Sequence, residues 1–250
     1  MAKYGRLKKN ILSKSIRDIK QEGLLFFIKK TYRFFLHKIL GLFSKMIVRN
    51  LKKKPKDFFY FEGKKLEYLI HPYNLTWINE RTIEIPIVLE YIKNSNPDKI
   101  IEAGAVLRHY TTAPWKVVDK FENGNNIINE DLVNFNPKEK YDLIISISTL
   151  EHVGFDDENN PVKIVNTMEN MKKWLNKNGR MIVTMPIGYN KYMDNLVFSN
   201  KPYFNKIYFM KRINRKNKWI EASIDEAREA RYNYPYNNAN AVVICIWEKK

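Results

Sequence analysis

The sequence predicts an α/β protein in which a doubly wound, mostly parallel sheet with an antiparallel C-terminal edge follows a basic amphipathic helical arm. Three observations lead to this prediction. Short apolar strands alternate with helical patterns from Glu84 onward, which is typical of a parallel sheet with right-handed crossovers. Acidic residues stand at the ends of four of these strands. Most of the net charge of +17 lies near the N-terminus.

The uneven charge divides the chain into two parts. Residues 1–56 contain 17 Lys and Arg against Asp18 and Glu22, a net charge of +15. Residues 57–250 contain 27 Lys and Arg against 25 Asp and Glu, a net charge of +2. We therefore predict a basic arm with its linker over residues 1–56 and a nearly neutral α/β domain over residues 57–250.

The arm carries an apolar stripe. Between Ile11 and Val48 apolar residues recur at intervals of three and four, which predicts amphipathic helices. The stripe consists of Leu25, Ile28, Tyr32, Phe35, Ile39, Leu42 and Met46. Basic residues beside such a stripe favour an anionic membrane surface as the partner. The alternative is packing on the domain or on a second copy. Nucleic acid is disfavoured, because the aromatic residues lie on the stripe rather than among the lysines.

Cysteine and histidine usage limits the chemistry. The single cysteine, Cys245, excludes an intramolecular disulfide and fits a reducing compartment. Its apolar surroundings in the sequence indicate core packing. The four histidines are scattered without ligand spacing, so no metal site is predicted. We expect a cytoplasmic protein, with the arm placing it peripherally at the inner membrane face.

Acidic residues mark the ends of the predicted strands. They are Glu102 before Gly104, Asp119 after Val117-Val118, Glu130-Asp131 after Asn125–Ile128, and Glu151, with His152 beside it, after Tyr141–Ser148. Ligands of parallel sheets lie outside the carboxyl ends of the strands, near the point where the strand order reverses. A glycine there lets the backbone approach a ligand, and a carboxylate can accept hydrogen bonds from ribose hydroxyls. The pattern therefore predicts a Rossmann-like site for a ribose-bearing cofactor.

Other segments have simpler predictions. Phe58–Ile70 is predicted to form a hairpin turning at Glu62-Gly63. The polar run ahead of the helix Glu84–Lys93 contains Glu80 and Arg81, which together with Glu84 either line a site or form a structural ion-pair cluster. Later elements are a helix ending at Asn178-Gly179, a strand Arg180–Met185, a strand Lys206–Ile213, a helix Trp219–Arg231 and a strand Ala241–Glu248. The tyrosines near residue 234 either stack on a sugar or base or reflect loop composition.

From Glu84 to Trp247 the sequence resembles the class I S-adenosylmethionine-dependent methyltransferases. The resemblance rests on Ile100–Gly104, Val117–Asp119, Asn129–Asp131, Tyr141–Ser146 with Leu150–His152, and Leu175–Arg180. The runs His71–Asn74 and Asn79–Thr82 are similar to a subgroup associated with surface-glycan gene clusters. The first glycine motif is degenerate, because Val106 and Arg108 stand where the family has glycines.

The resemblance implies S-adenosylmethionine as the cofactor and methyl transfer as the reaction. The cofactor-binding residues it implies are Glu102, Ala103, Gly104, Asp119, Glu130, Asp131 and Ser148. It implies His152, with Glu151, as the catalytic base; the alternative is a purely structural His152. The expected acceptor is a small molecule or a membrane-associated glycan. The alternative function is a catalytically silent methyltransferase-fold scaffold tethered to the membrane surface.

Overall fold

The computed structural model describes residues 24–156, 160–199 and 203–250. The chain divides into two compact units, Met1–Asn50 and Leu51–Lys250. The composition of the sequence had placed this boundary a few residues later, after residue 56.

The helix α1, Leu24–Leu51, forms the described part of the arm. The stripe residues Tyr32, Phe35, Ile39, Leu42 and Met46 are each more than half exposed, from 52% to 81%. The part of the predicted arm before Leu24, and the side chains of Leu25 and Ile28, lie outside the described residues. In the described part of the chain, no helix is both long enough and apolar enough to span a bilayer.

In the described part of the second unit there are ten strands and four α-helices. The strands are β1 Phe58–Phe61, β2 Lys64–Glu67, β3 Ile100–Ala103, β4 Lys116–Val118, β5 Ile127–Ile128, β6 Tyr141–Ile147, β7 Leu175–Pro186, β8 Lys206–Arg212, β9 Trp219–Ala222 and β10 Ala241–Glu248. The helices are α2 Arg81–Ile92, α3 Val162–Trp174, α4 Lys191–Val197 and α5 Ile224–Arg228. Strands β1 and β2 form the predicted hairpin.

Eight of these strands form one sheet in the order β5-β4-β3-β6-β7-β10-β8-β9. The first five are parallel to one another. Strand β10 is antiparallel to both β7 and β8, and β9 pairs antiparallel with β8. The predicted fold class is confirmed, although β10 lies inside the sheet and β9 forms its edge.

Both faces of the sheet are covered, which explains the continuous apolar run in β6. Leu143, Ile145 and Ile147 belong to one hydrophobic cluster, and Tyr141 and Ile144 belong to the other. Helix α2 supplies apolar residues to the first cluster, and α3 supplies them to the second. Such two-sided burial is typical of parallel sheets. Cys245 is buried in the core, as predicted.

Two predicted elements were wrong. Trp219–Arg231 is not one helix, because β9 pairs with β8 and α5 begins only after Ser223, whose side chain forms a capping box with Glu226. The helix before Asn178-Gly179 ends at Trp174, because Leu175 already pairs with Tyr141 in the sheet. Asn178, with φ of 63°, therefore turns the chain within β7 rather than ending a helix.

Candidate functional site

The turn after β3 requires a glycine. Gly104 has φ of +92°, and a Cβ at this position would lie within 3 Å of three side-chain atoms of Thr149, the closest at 2.2 Å. The Gly104 N–H donates to the carbonyl oxygen of Val118 at 2.8 Å. The turn is thus fixed between the end of β4 and the loop that follows β6.

The Glu102 side chain stabilises this turn through hydrogen bonds. Its carboxylate is fully buried and accepts hydrogen bonds from the N–H groups of Val106 at 2.8 Å and Leu107 at 2.7 Å, and from Trp115 Nε1 at 3.1 Å. Burial raises the pKa of Glu102 to about 7, against the lowering effect of these donors. The bonds fix a short 3₁₀ turn, Leu107–His109.

A cavity of about 110 Å³ lies at the carboxyl ends of the strands. The residues that line it come from the loops after β4, β5 and β6. They are Asp119, Lys120, Phe121, Asp131, Leu132, Val133, Thr149, His152, Val153 and Gly154, with Lys163 from α3. The cavity therefore brings together Asp119, Asp131 and His152 of the predicted site, whereas Glu102 and Glu130 do not line it.

Asp119 accepts hydrogen bonds from backbone groups and can still accept one from a ligand. Oδ1 accepts from the N–H groups of Phe121 and Glu122, both at 2.8 Å. Among the residues that the structure describes, Oδ2 accepts from one donor, the N–H of Ala105, at 3.1 Å. Because a carboxylate oxygen has two lone pairs, Oδ2 can accept a further hydrogen bond from a hydroxyl group in the cavity.

Asp131 and Glu130 are adjacent in sequence but differ in environment. Asp131 accepts from the Val133 N–H at 3.1 Å and pairs with Lys120 Nζ at 3.2 Å. Partial burial acts to raise the pKa of Asp131, but these two partners outweigh it and lower that pKa. Glu130 is exposed. Of the two predicted adenine-side acids, only Asp131 borders the cavity.

The first turn of α2 forms a buried cluster with the loop after β6 and with β7. Arg81 pairs with Glu84, and its Nη1 donates to Ser148 Oγ at 2.5 Å. Glu84 Oε1 accepts from Ser148 Oγ at 2.8 Å and from Thr184 Oγ1 at 2.7 Å. These contacts agree with the ion-pair interpretation for Arg81 and Glu84. They also turn Ser148 toward the cluster.

His152 is oriented by two residues that the sequence analysis did not single out. Its Nδ1 lies 2.7 Å from Asp156 Oδ2 and 3.2 Å from the hydroxyl of Tyr189, which also donates to Asp156 Oδ1 at 3.2 Å. The Nε2 atom lies 3.8 Å from Glu151 Oε1. A hydrogen bond to Asp156 at Nδ1 leaves Nε2 as the nitrogen able to take a proton. The spacing of four residues between His152 and Asp156 was the one available sequence signal.

The strand order decides the fold type. Counted from β3, the parallel strands stand in the Rossmann order 3-2-1-4-5. An antiparallel strand, β10, then follows the fifth. The domain has the class I methyltransferase fold.

Several of the solved structures similar to the chain are methyltransferases. An rRNA methylase from Streptococcus thermophilus has a TM-score of 0.40 and 9% identity, covering 66% of this chain and 96% of that chain. The N-methyltransferase NodS from Bradyrhizobium japonicum WM9 has a TM-score of 0.41 and 13% identity, covering 68% and 95%. An S-adenosylmethionine-dependent methyltransferase from Clostridium acetobutylicum has a TM-score of 0.36 and 10% identity, covering 65% and 89%. No protein-family model and no curated protein matches the sequence.

The steric role of Gly104 can be separated from its backbone strain. Gly63 also has positive φ, +72°, but open space around its Cβ position. We expect Gly104→Ala to lower the free energy of unfolding by about 2–4 kcal/mol and Gly63→Ala by about 1 kcal/mol, measured by urea denaturation. Adding Thr149→Ala should restore part of the loss at Gly104. Equal losses in the two glycine variants would mean that Thr149 does not press on the turn.

The raised pKa of Glu102 predicts a pH-dependent stability. Between about pH 4.5 and 7 the folded protein binds more protons at Glu102 than the unfolded chain, so this residue's contribution falls as the pH rises. Wild type should lose about 3 kcal/mol relative to Glu102→Gln across this window, measured as the free energy of unfolding against pH. A constant difference between the two proteins would contradict the raised pKa.

Proposed function

We propose that the domain is an S-adenosylmethionine-dependent methyltransferase that binds the nucleoside half of its cofactor in the cavity at the strand ends. The observation that carries the proposal is the convergence of Asp119 and Asp131, from different strand ends, on one cavity beside a glycine-dependent turn. Apolar groups of Phe121, Leu132 and Val133 line the same space. Its volume of about 110 Å³ is below that of pockets for whole cofactors, which suits one part of the molecule.

The residues present fit such a group, and each has a proposed role. Asp119 Oδ2 would accept hydrogen bonds from the ribose hydroxyls, and Asp131 would accept one from the adenine amino group. The backbone at Ala103-Gly104 would contact the methionine part. We propose that Glu102 shapes the turn rather than touching the cofactor, because its carboxylate already serves three protein donors. Glu130 and Ser148, which do not line the cavity, are left out of the contact set.

When bound, the cofactor supplies a methyl group activated by a positively charged sulfur. The protein's task is then to align the acceptor and to remove its proton. His152 lines the cavity, and Asp156 with Tyr189 fixes its ring. We assign proton removal to His152 Nε2, with Asp156 stabilising the imidazolium that forms.

The arm suggests where in the cell the protein binds its methyl acceptor. A net charge of +15 over residues 1–56 and the exposed stripe on α1 together favour an anionic membrane surface. We propose peripheral attachment there and a membrane-associated glycan or saccharide as the acceptor.

The second candidate function is a catalytically silent scaffold with the same fold. It is favoured by the degenerate first motif, in which Arg108 occupies the position of a family glycine. The guanidinium of Arg108 lies against Gly124, and its Nη1 donates to the carbonyl oxygen of Asn123 at 3.4 Å. Cofactor binding distinguishes the two functions.

Calorimetric titration with S-adenosylhomocysteine tests the cofactor site. We expect the wild type to bind, and Asp119→Ala to weaken binding by about 1.5–3 kcal/mol because a charge-assisted hydrogen bond to ribose is lost. Asp131→Asn should also weaken binding. Glu130→Gln, a change at the exposed neighbour, is the matched control and should bind like wild type. Thermal unfolding of each variant checks that the fold is kept.

The outcomes separate the two candidate functions. Absence of binding heat and of a thermal shift for the folded wild type at millimolar ligand would favour the scaffold. Binding that is unchanged in Asp119→Ala would refute the assignment of ribose to Asp119.

Liposome flotation tests the arm. Leu42, on the exposed stripe, and His37, on the other side of α1, give the same change in charge when replaced by Glu. We expect wild type to float with anionic vesicles and less with neutral ones. Leu42→Glu should reduce recovery several-fold by removing apolar contact, and His37→Glu should have a smaller effect. Equal recovery on neutral vesicles would contradict the electrostatic part of the proposal.

A further inference from the structure

The buried cluster next to the cavity contains more negative than positive groups. Glu80, Glu84 and Glu151 are all less than 10% exposed. Glu84 is compensated by Arg81 and by two hydroxyl donors. Glu80 accepts from the Ala239 N–H at 3.2 Å, and the charge of Arg212 acts on it. Three carboxylates thus share the charges of two guanidinium groups, and one of the three has in addition no hydrogen-bond donor to its oxygens among the described residues.

That carboxylate is Glu151. It is 1% exposed, and in the described part of the chain no other residue donates a hydrogen bond to either of its oxygens. The closest basic atom in an ion pair is His152 Nε2, at 3.8 Å from Oε1, and His152 is already engaged at Nδ1 by Asp156. A buried carboxylate without a donor is costly, so a site that keeps one is suited to a ligand that supplies a positive charge.

Aromatic rings lie next to His152, the neighbour of Glu151 in the sequence. The ring centroids of His152 and Tyr189 are 4.9 Å apart. Tyr189 and Tyr232 lie with their ring centroids 5.2 Å apart and their planes at 80°. Helix α4 begins beside the site, and the side chain of its capping residue Asn190 donates to the Glu151 carbonyl at 2.7 Å, which holds the loop in place.

A carboxylate flanked by aromatic faces is a recognition pattern for an ammonium group, through an ion pair and cation–π attraction. We propose that Glu151, with Tyr189 and Tyr232, binds the ammonium group of the methyl acceptor, an amino sugar or another amine. This inference rests on the proposed function. The methionine part of the cofactor also carries an ammonium group, and its binding at Glu151 is the contrary outcome that the test separates.

Three probes distinguish these sources by calorimetry on the full chain. S-adenosylhomocysteine carries the amino-acid end of the cofactor, whereas 5′-methylthioadenosine has the nucleoside and the thioether sulfur without it. Glucosamine, with glucose as its uncharged counterpart, is titrated into protein saturated with S-adenosylhomocysteine. The proteins compared are wild type, Glu151→Gln and the control Glu229→Gln, which changes an exposed glutamate that is not one of the three proposed site residues.

One result supports the proposal: Glu151→Gln keeps S-adenosylhomocysteine affinity but loses the binding of glucosamine. If Glu151→Gln instead weakens S-adenosylhomocysteine about tenfold or more and leaves 5′-methylthioadenosine unchanged, Glu151 binds the cofactor and the proposal is wrong. Glu229→Gln behaves as wild type in both cases.

Affinities of Glu151→Gln equal to wild type for every probe would overturn the ammonium site while leaving the proposed function intact. Failure of the folded wild type to bind S-adenosylhomocysteine would instead overturn the proposed function. Thermal unfolding checks the variant, which should be at least as stable as wild type because it removes a buried charge.

Discussion

The close contact between the Gly104 turn and Thr149 is the constraint on which the site depends. Strand β3 lies between β4 and β6, so the turn that leaves it is the centre of the strand-end rim. Positive φ at Gly104 lets the backbone turn within van der Waals distance of the loop after β6. The Asp119 carboxylate accepts a hydrogen bond from the next amide, Ala105 N–H, and this bond connects the ends of β3 and β4. A side chain at residue 104 would push these loops apart.

A buried ion pair is the second feature that fixes the geometry of the strand-end rim. The Arg81–Glu84 pair connects the start of α2 with the ends of β6 and β7 through Ser148 and Thr184. A buried ion pair adds little net stability, because desolvation offsets the attraction between the charges. Its effect here is to fix the position of the start of α2 against the strand ends. Such fixed polar contacts are how a binding site keeps its geometry before a ligand arrives.

The sequence could predict the sheet because its strands have clear apolar patterns. The apolar run Tyr141–Ile147 and the alternation of strands with helices follow from burial on both faces. The sequence could also predict that acids gather at one rim. It could not separate their roles, since Glu102 and Asp119 look alike in sequence. The difference arises because Glu102 is still inside β3 and meets backbone donors under the turn, whereas Asp119 lies one residue beyond β4 and borders the cavity.

Contacts between residues that are far apart in the sequence could not be predicted from it either. Tyr189 meets His152 across 37 residues, and Glu84 meets Thr184 across 100. Neither contact leaves a periodic or local signal. The edge strand β9 was mistaken for helix because its exposed residues, Ile220 and Glu221, do not alternate clearly with buried ones. Only its pairing with β8 decides its conformation.

A crystal structure of the full chain grown with S-adenosylhomocysteine would test the central claim most directly. The account predicts electron density for the adenosine between Asp119 and Asp131, with a ribose hydroxyl about 2.5–3.0 Å from Asp119 Oδ2. Density for the ligand away from these two carboxylates would contradict the account. So would a ligand-free cavity in crystals of the saturated protein.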